Sequence, residues 1–272
     1  MEKDFTDIKS YNTNMAKPMD DKLFFFDKFD WPEDTMIVDF GCADGKVLAA
    51  IKDRIEMFQS YHRTLFVGYD KSKTMIDFAR TNWDSSENNV VFTSKWDDVE
   101  KLIKKYKDKY TPILLLSSVI HEVYSYCAEA EINEFWNRVT NSGFEYVIIR
   151  DMMVSKSVEG ESKYSISGSL HMTPYIQSYL QSFMNVWGDI KENKNAVHWL
   201  LKYRWIINWE RENNENYLPI YTNELVDIMS KTYDIEYFEH FKLPFIVKKI
   251  REDWGITLKD NTHVKSIFKL RK

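Results

Sequence analysis

The stretch MIVDFGCADGKVLAAI, residues 36–51, places small residues at the point where an apolar run gives way to a helix-like pattern. Gly41, Ala43 and Gly45 allow the backbone to turn tightly and to approach a ligand closely, and the helix that follows begins with unpaired N–H groups. In a doubly wound sheet, ligands bind beyond the carboxyl ends of the strands at such a junction. The stretch therefore predicts a loop that binds a polar cofactor.

A second residue suited to this chemistry is Asp70, which ends the next β-rich run. A carboxylate at that place can accept hydrogen bonds from both hydroxyls of a ribose. A nicotinamide dinucleotide favours G-x-G-x-x-G, but the corresponding positions here are Gly41, Ala43 and Lys46. Asp44 in the same loop would also repel a pyrophosphate. The acidic loop favours instead a ligand with a positively charged, amine-bearing end.

Short β-rich runs alternate with amphipathic helical patterns over the first half of the chain. The predicted strands cover 36–40, 65–70, 90–94, 112–118 and 144–150, and the predicted helices cover 46–57, 73–83, 97–106 and 128–140. Asp97 and Asp98 suit the start of the third of these helices. Strands that alternate with helices imply right-handed crossovers and a parallel sheet covered on both faces. The pattern predicts a doubly wound α/β core.

The remaining segments predict additions to this core. Thr222 can cap a helix, NELVDIMSKTY, and the alternating stretches at 234–242 and 263–269 suit a terminal antiparallel pair, so we expect a mostly parallel sheet of seven strands. The long aromatic-rich segment between the fifth strand and this tail is interpreted as a helical insertion that caps the domain. The expected parts are an N-terminal helical segment over the sheet edge at 1–35, a cofactor-binding core at 36–154, the insertion at 155–220, and the last helix and strand pair at 221–272.

The N-terminal segment has an apolar spacing that predicts helices over the edge of the sheet. Its apolar positions are Met15, Met19, Leu23 and Phe26. These helices either close over the cofactor or pack as ordinary helices, and both interpretations stay open. Tyr11 is a candidate for ligand contact.

Two segments, VDFGCADGKVL and FVGYDKSKTMIDFAR, resemble the first two signature segments of class I S-adenosylmethionine-dependent methyltransferases. The resemblance covers roughly residues 36–150, and the terminal strand pair resembles the reversed last hairpin of that fold. Ala43 stands where the family has its middle glycine. The resemblance implies S-adenosylmethionine as cofactor and methyl transfer as activity.

The resemblance also implies which residues contact the cofactor. The loop would hold the methionine part, the acid after strand two the ribose, the residues after strand three the adenine, and LLLSSVIHEVYSY the amino-acid end. The residues assigned in that order are Asp39, Gly41, Cys42, Ala43 and Gly45; Asp70 and Lys71; Lys95, Trp96 and Asp97; and Ser117, Ser118 and Val119.

Several of these residues have a structural alternative. Asp70 suits a helix cap as well as a ribose ligand, and Trp96 suits core packing as well as an adenine contact. His121 follows strand four, where a general base is needed and where its ordinary pKa suits that work, but histidines at helix starts are also structural. Arg150 and Asp151 end strand five at the same edge, where an ion pair or a cap explains them equally well.

The insertion contains HWLLKYRWIINWERENN, in which aromatic and basic residues alternate as on a surface that stacks nucleic-acid bases. The helical spacing of Trp199, Tyr203 and Ile206 favours packing against the core instead. A long connection that leaves strand five emerges at the cofactor edge, so we expect its exposed side chains to set acceptor specificity. The candidates are His171, Tyr203, Arg204 and Trp209.

Composition narrows the functional class. A formal net charge of -5 gives no electrostatic footprint for nucleic acid over the whole chain. Cys42 and Cys127 provide neither a disulfide framework nor a zinc motif, and we expect no metal. The N-terminus has no apolar signal region, and no stretch is apolar enough to span a membrane. We therefore expect a cytoplasmic protein.

The acceptor class is narrowed by one further motif. SSVI follows strand four in place of N/D-P-P-Y/F, which disfavours methylation of exocyclic amines in DNA or of glutamine. A small-molecule acceptor is favoured, with RNA next. The alternatives are a noncatalytic S-adenosylmethionine-binding partner subunit and a nicotinamide-dependent oxidoreductase.

Overall fold

The computed structural model describes residues 19–58, 63–83, 89–169 and 171–272, and its described part contains one seven-stranded sheet. The strands are β1 Asp34–Phe40, β2 Arg63–Tyr69, β3 Val90–Thr93, β4 Thr111–Ser117, β5 Tyr146–Met152, β6 Tyr233–Phe241 and β7 His263–Leu270. Their order is β3-β2-β1-β4-β5-β7-β6. The first five strands run parallel, and β7 is antiparallel to both β5 and β6. The prediction of a mostly parallel, seven-stranded doubly wound sheet is confirmed.

Eleven α-helices lie in the described residues. They are α1 Met19–Lys22, α2 Lys46–Phe58, α3 Lys73–Asn82, α4 Trp96–Tyr106, α5 Ile120–Tyr126, α6 Glu129–Asn141, α7 Pro174–Trp187, α8 Asn193–Lys202, α9 Trp209–Asn214, α10 Thr222–Met229 and α11 Pro244–Trp254. The four helices predicted between the first strands match α2, α3, α4 and α6. Tyr11 and Met15 lie outside the described residues.

Two details of the C-terminal part correct the sequence analysis. β6 and β7 form the predicted terminal antiparallel pair, but α11, which was not predicted, lies between them along the chain. Pro244 at the first turn of α11 and Gly255 beyond its end, at φ 66°, are the signals that mark this helix. Thr222 does not cap α10 but is its first residue. The backbone N–H of Tyr221 donates instead to Glu224 Oε2 at 2.7 Å.

Alternate residues of the central strands supply two hydrophobic cores. Val38 and Leu114 face one side of the sheet, where they belong to a cluster that includes side chains of α4, α6 and α10. Ile37 and Ile113 face the other side, which α2 and α3 cover together with Phe25 of a 3-10 turn at Phe24–Asp27. Because both faces are buried, the carboxyl edge of the sheet is the place where polar side chains of neighbouring strands meet.

The segment at 155–220 contributes to a third hydrophobic cluster. Side chains of α7, α8 and α11 form this cluster, and Trp199 at its centre is fully buried. Tyr203 is also buried, at 2% exposure. The packing role that the sequence favoured for these aromatic residues agrees with their burial, whereas the four-part division of the chain stays a prediction.

Candidate cofactor-binding site

The loop after β1 is built from residues in the left-handed backbone region. Gly41, Ala43 and Gly45 have φ values of 75°, 46° and 77°. A Cβ atom on Gly41 would stand 2.9 Å from Val119 Cγ2, so the close approach of the loop after β4 requires glycine there. The N–H groups of Gly41 and Cys42 donate to Tyr69 O at 2.7 and 3.0 Å. The loop is therefore anchored by hydrogen bonds to the end of β2 and packs closely against the loop after β4.

Ala43 carries a conformational cost that a glycine would not. The left-handed conformation costs an L-residue about 1–2 kcal/mol, and glycine avoids this cost. Glycine also has more conformational entropy in the unfolded state, which cancels part of the gain in stability. We expect Ala43→Gly to raise the free energy of unfolding by about 0.5–1 kcal/mol, as measured by urea denaturation. Ala50→Gly, inside α2, is the matched control and should lower it by a similar amount. A destabilised Ala43→Gly protein would contradict this account of the loop.

Asp70 links the loop after β1 to the loop after β2. Its Oδ2 accepts from Ala43 N at 3.0 Å, and its Oδ1 accepts from Ser72 N at 2.8 Å. The helix-capping role belongs to Ser72, whose side chain accepts from Met75 N at the start of α3. Asp70 therefore lies at the junction of β1 and β2, where the sequence analysis placed the ribose contact.

Asp39, at the end of β1, is a buried carboxyl group with an unmatched atom. It is 2% exposed, and within the described residues its Oδ2 has no hydrogen-bond partner. Burial raises the pKa of Asp39 to about 7, against the opposing effect of Lys22. Ser117 Oγ, at the end of neighbouring β4, is also buried without a partner in this part of the chain. Buried polar atoms of this kind are costly unless a ligand pairs with them.

Asp44, the second acid of the loop, has an ion pair within the chain. Its Oδ2 lies 2.7 Å from Lys46 Nζ, and its side chain is 8% exposed. The negative charge of Asp44 is therefore already paired. Asp39 and Asp44 are thus both buried acids of the loop, with 2% and 6% of the whole residue exposed, and Lys46 pairs with Asp44.

The other candidates for cofactor contact occupy different environments. Cys42 is buried, and burial raises its thiol pKa. Lys71 is 70% exposed and forms an ion pair with Glu131 at 3.0 Å. Asp97 is exposed in the first turn of α4, and Lys95 directly precedes that helix.

Trp96 lies in the core. It is 4% exposed, its ring centroid lies 5.4 Å from that of Phe40 and 5.2 Å from that of Tyr69, and its Nε1 donates to Glu100 at 3.1 Å. These contacts favour the packing alternative for Trp96.

The loop after β4 is tied to β5 by Arg150. Ser118 has a left-handed φ of 60°, and its N–H donates to Arg150 O at 2.8 Å. The guanidinium of Arg150 donates to Ser118 Oγ at 2.9 Å and to Asp21 Oδ2 at 2.9 Å. Arg150 thus has the ion-pair role that the sequence left open.

His121 and Asp151 form a buried pair at the same edge. His121 Nδ1 lies 2.7 Å from Asp151 Oδ1, and Asp151 Oδ2 accepts from Ile120 N at 2.7 Å. Burial lowers the pKa of His121, but the charge and hydrogen bond of Asp151 raise it more, so the net pKa is raised. A neutral imidazole whose Nδ1–H donates to a carboxylate presents Nε2 as a proton acceptor. The pair can therefore serve as a general base.

Part of the insertion contacts α5 beside this pair. The ring of Tyr217 lies 5.8 Å from that of His121, and Asn216 N donates to Ser125 Oγ at 2.7 Å. Tyr126 donates to Glu215 Oε1 at 2.9 Å. The stretch 211–217 is therefore a part of the insertion that lies against α5, the helix after β4.

The insertion residues chosen from the sequence contact other elements of the third cluster. The ring of His171 lies 4.8 Å from that of Trp254, and Tyr203 donates to Asp253 at 2.7 Å. The remaining two are Arg204, which lies over Phe245 at 5.1 Å, and Trp209, which donates to Ser182 at 3.2 Å. The sequence identified the segment but not its members nearest His121, because helical spacing does not say which neighbour a helix face meets.

Within the described residues, no helix is long and apolar enough to cross a membrane, and no group of three or more His, Cys, Asp or Glu side chains is arranged to hold a metal ion. Lys22 and its neighbour Asp21, both in α1, were missed by the sequence analysis; the first of them is a buried lysine. Lys22 is 3% exposed. No pattern marked it, since lysine is ordinarily a surface residue.

No family model and no curated protein matches the chain. Solved structures do. A SAM-dependent methyltransferase from Anabaena variabilis is 13% identical with a TM-score of 0.50, covering 95% of this chain and 86% of its own. A protein assigned as a methyltransferase, solved with the Trm112 methyltransferase activator from Haloferax volcanii, is 10% identical with a TM-score of 0.53, covering 97% and 95%. The chain therefore has the fold of the class I S-adenosylmethionine-dependent methyltransferases.

Proposed function

We propose that this protein binds S-adenosylmethionine and transfers its methyl group to an acceptor. The observation that carries this proposal is the buried carboxyl group of Asp39, whose Oδ2 has no partner within the described residues, directly before a left-handed loop. An ammonium group of the cofactor's methionine part would give Asp39 the cationic partner that such a site requires. The fold that the chain shares with known methyltransferases agrees with this ligand.

The cofactor contacts follow from the positions of the loops. Gly41, Ala43 and Gly45 would lie along the methionine part, with Ser117 Oγ near its amino-acid end. Asp70 would accept from the ribose hydroxyls while it keeps the loop in place through Ala43 N. Cys42, Lys71, Ser118 and Val119 stay in the proposed site, and Lys95 and Asp97 stay as predicted neighbours of the adenine.

The chemistry assigns His121 to the acceptor. When bound, S-adenosylmethionine supplies an electrophilic methyl group. Asp39, Asp70 and the loop after β1 would hold the cofactor so that the lone pair of an acceptor could take up this methyl group, with the electrons of the carbon–sulfur bond remaining on sulfur. Where the acceptor is an O–H or N–H group, its proton passes to His121 Nε2, and Asp151 holds the imidazole through Nδ1 at 2.7 Å. A small-molecule acceptor under residues 211–217 is favoured, with RNA next.

The two alternatives differ from this function in testable ways. A nicotinamide-dependent oxidoreductase is disfavoured by the loop, where Lys46 replaces the third glycine, and by the antiparallel β7. A noncatalytic subunit would bind the cofactor without transferring its methyl group. The similar structure solved with the Trm112 activator makes an assembly with a partner protein worth testing.

Calorimetry and thermal shift with S-adenosylmethionine, S-adenosylhomocysteine and NADH test the cofactor. We expect micromolar binding, about -8 kcal/mol, of the first two only. Asp70→Asn should weaken binding by about 1–3 kcal/mol, because a charged hydrogen-bond acceptor is lost. Ser72→Ala is the matched control: it should lower stability by about 1 kcal/mol through loss of the α3 cap but leave the affinity unchanged.

The outcomes separate the candidate functions. The absence of both heat and thermal shift with S-adenosylmethionine and with S-adenosylhomocysteine would contradict the proposed function. Binding without transfer of labelled methyl to any cellular fraction would favour the noncatalytic subunit. Unchanged affinity in Asp70→Asn would return Asp70 to a structural role.

A further inference from the structure

Lys22 is a buried cation at the carboxyl edge of the sheet. It lies in α1 and is 3% exposed. Burial and the nearby Arg150 lower its pKa to about 8, while the charges of Asp39, Asp44 and Glu122 oppose this effect. Burying a lysine costs free energy unless its ammonium group gains a partner. Lys22 is therefore a candidate for binding a ligand.

The position of Lys22 is fixed by its neighbour Asp21. Asp21 pairs with Arg150 at 2.7 Å and with Lys265 at 2.5 Å. Arg150 in turn donates to Ser118 in the loop after β4. These contacts hold α1 against β5 and β7, and through Arg150 they connect it to the loop after β4 at the carboxyl edge of the parallel strands.

Lys22 and Asp39 offer two opposite charges at the proposed cofactor site. Lys22 is the largest opposing charge acting on Asp39, yet Asp39 Oδ2 has no hydrogen-bond partner within the described residues. Arg150 is a second buried cation at this edge, but its guanidinium is already bonded to Asp21 and Ser118. Lys22 is thus the better placed of the two to bind an anion.

We propose that Lys22 binds the carboxylate of the cofactor's methionine part while Asp39 accepts its ammonium group. This inference rests on the proposed function. An α-amino acid carries both charges on one carbon, so a buried lysine and a buried aspartate at one edge match it with charge-assisted hydrogen bonds. The N-terminal segment thereby becomes part of the binding site and not only a packing element.

The test compares S-adenosylmethionine with its decarboxylated analogue, which lacks only the group that Lys22 would bind. We expect Lys22→Met to weaken binding of S-adenosylmethionine by about 10–100-fold, as for a lost hydrogen bond to a charged group. Binding of the decarboxylated analogue should stay unchanged. Lys28→Met, an exposed lysine of the same segment that lies over Tyr237, is the matched control and should change neither affinity.

Melting curves accompany the titrations, because a change at a buried position can act through folding. Without ligand, Lys22→Met should melt no lower than the wild type, since a buried cation is removed; Lys22→Gln is the second variant if it does. Equal loss of affinity for both ligands, or no loss for either, would overturn the role of Lys22 and leave the proposed function intact. Failure of the wild type to bind S-adenosylmethionine would overturn both.

Discussion

Replacing His121 with asparagine is expected to slow methyl transfer by about 10²–10⁴-fold, the usual contribution of a general base. Asparagine can still donate a hydrogen bond to the buried Asp151, so the carboxylate keeps a partner, but it cannot accept a proton. Cofactor affinity should stay nearly unchanged, because His121 is assigned to the acceptor. Initial rates with methyl-labelled cofactor, and with the cellular fraction that takes the label, measure the effect.

Two further variants control this experiment. His240→Asn alters a histidine whose Nε2 lies 3.2 Å from Met153 O, outside the proposed site, and should keep the wild-type rate. Asp151→Asn should also slow transfer, because the imidazole loses the carboxylate that holds it. A His121→Asn protein that folds, binds cofactor and transfers methyl at the wild-type rate would remove His121 from the reaction.

The raised pKa of His121 gives the same prediction a pH dependence. Only the neutral imidazole accepts a proton, so the rate should rise with pH through this raised pKa, and the rise should be absent in His121→Asn. Folding stability is expected to change with pH in the opposite direction to the rate. The stabilisation from the charged pair is present in full below the unfolded-state pKa of about 6.5 and is lost as the pH rises through the higher folded-state pKa. Urea denaturation of both proteins across this range measures the difference.

The sequence predicted those features that depend on local pattern. The short apolar runs between helical patterns predicted the bounds of β1 to β5 within two residues at each end. These runs are clear in the sequence because both faces of a parallel sheet are buried and turn residues bound each strand. The loop at Gly41, Ala43 and Gly45 was predicted from residue types that the left-handed backbone favours, although Ala43 adopts that conformation at a cost.

Features that depend on distant contacts could not be predicted in this way. Asp21 and Arg150 are 129 residues apart, and their pairing decides where Lys22 lies. His121 and Asp151 are 30 residues apart and had separate structural alternatives until their pairing was known. Such contacts come from the topology of the sheet, which brings strand ends together irrespective of their distance along the chain.

The insertion contains another long-range contact that the sequence could not predict, made by the buried Lys202. Lys202 at the end of α8 is fully buried, and its Nζ donates to the backbone oxygens of Glu212 and Glu215. It also lies 4.6 Å from the centroid of the Tyr217 ring. Burial lowers the pKa of Lys202 to about 7. Lys202 therefore holds in place the stretch 211–217, which contacts α5 beside His121.

Lys202→Met is expected to lower the free energy of unfolding by about 2–6 kcal/mol, because two carbonyl groups lose their donor at about 1–3 kcal/mol each. Methionine keeps most of the apolar volume, so the loss reports the hydrogen bonds and not a cavity. Lys194→Met is the matched control: this lysine lies in the same helix, 4.6 Å from the Tyr221 ring, and its replacement should cost less than about 1 kcal/mol. Urea denaturation measures both, and equal stabilities of the two variants would contradict the anchoring role of Lys202. Because Tyr217 lies beside His121, the Lys202 variant should also transfer methyl more slowly at temperatures where it remains folded, with its affinity for S-adenosylmethionine retained.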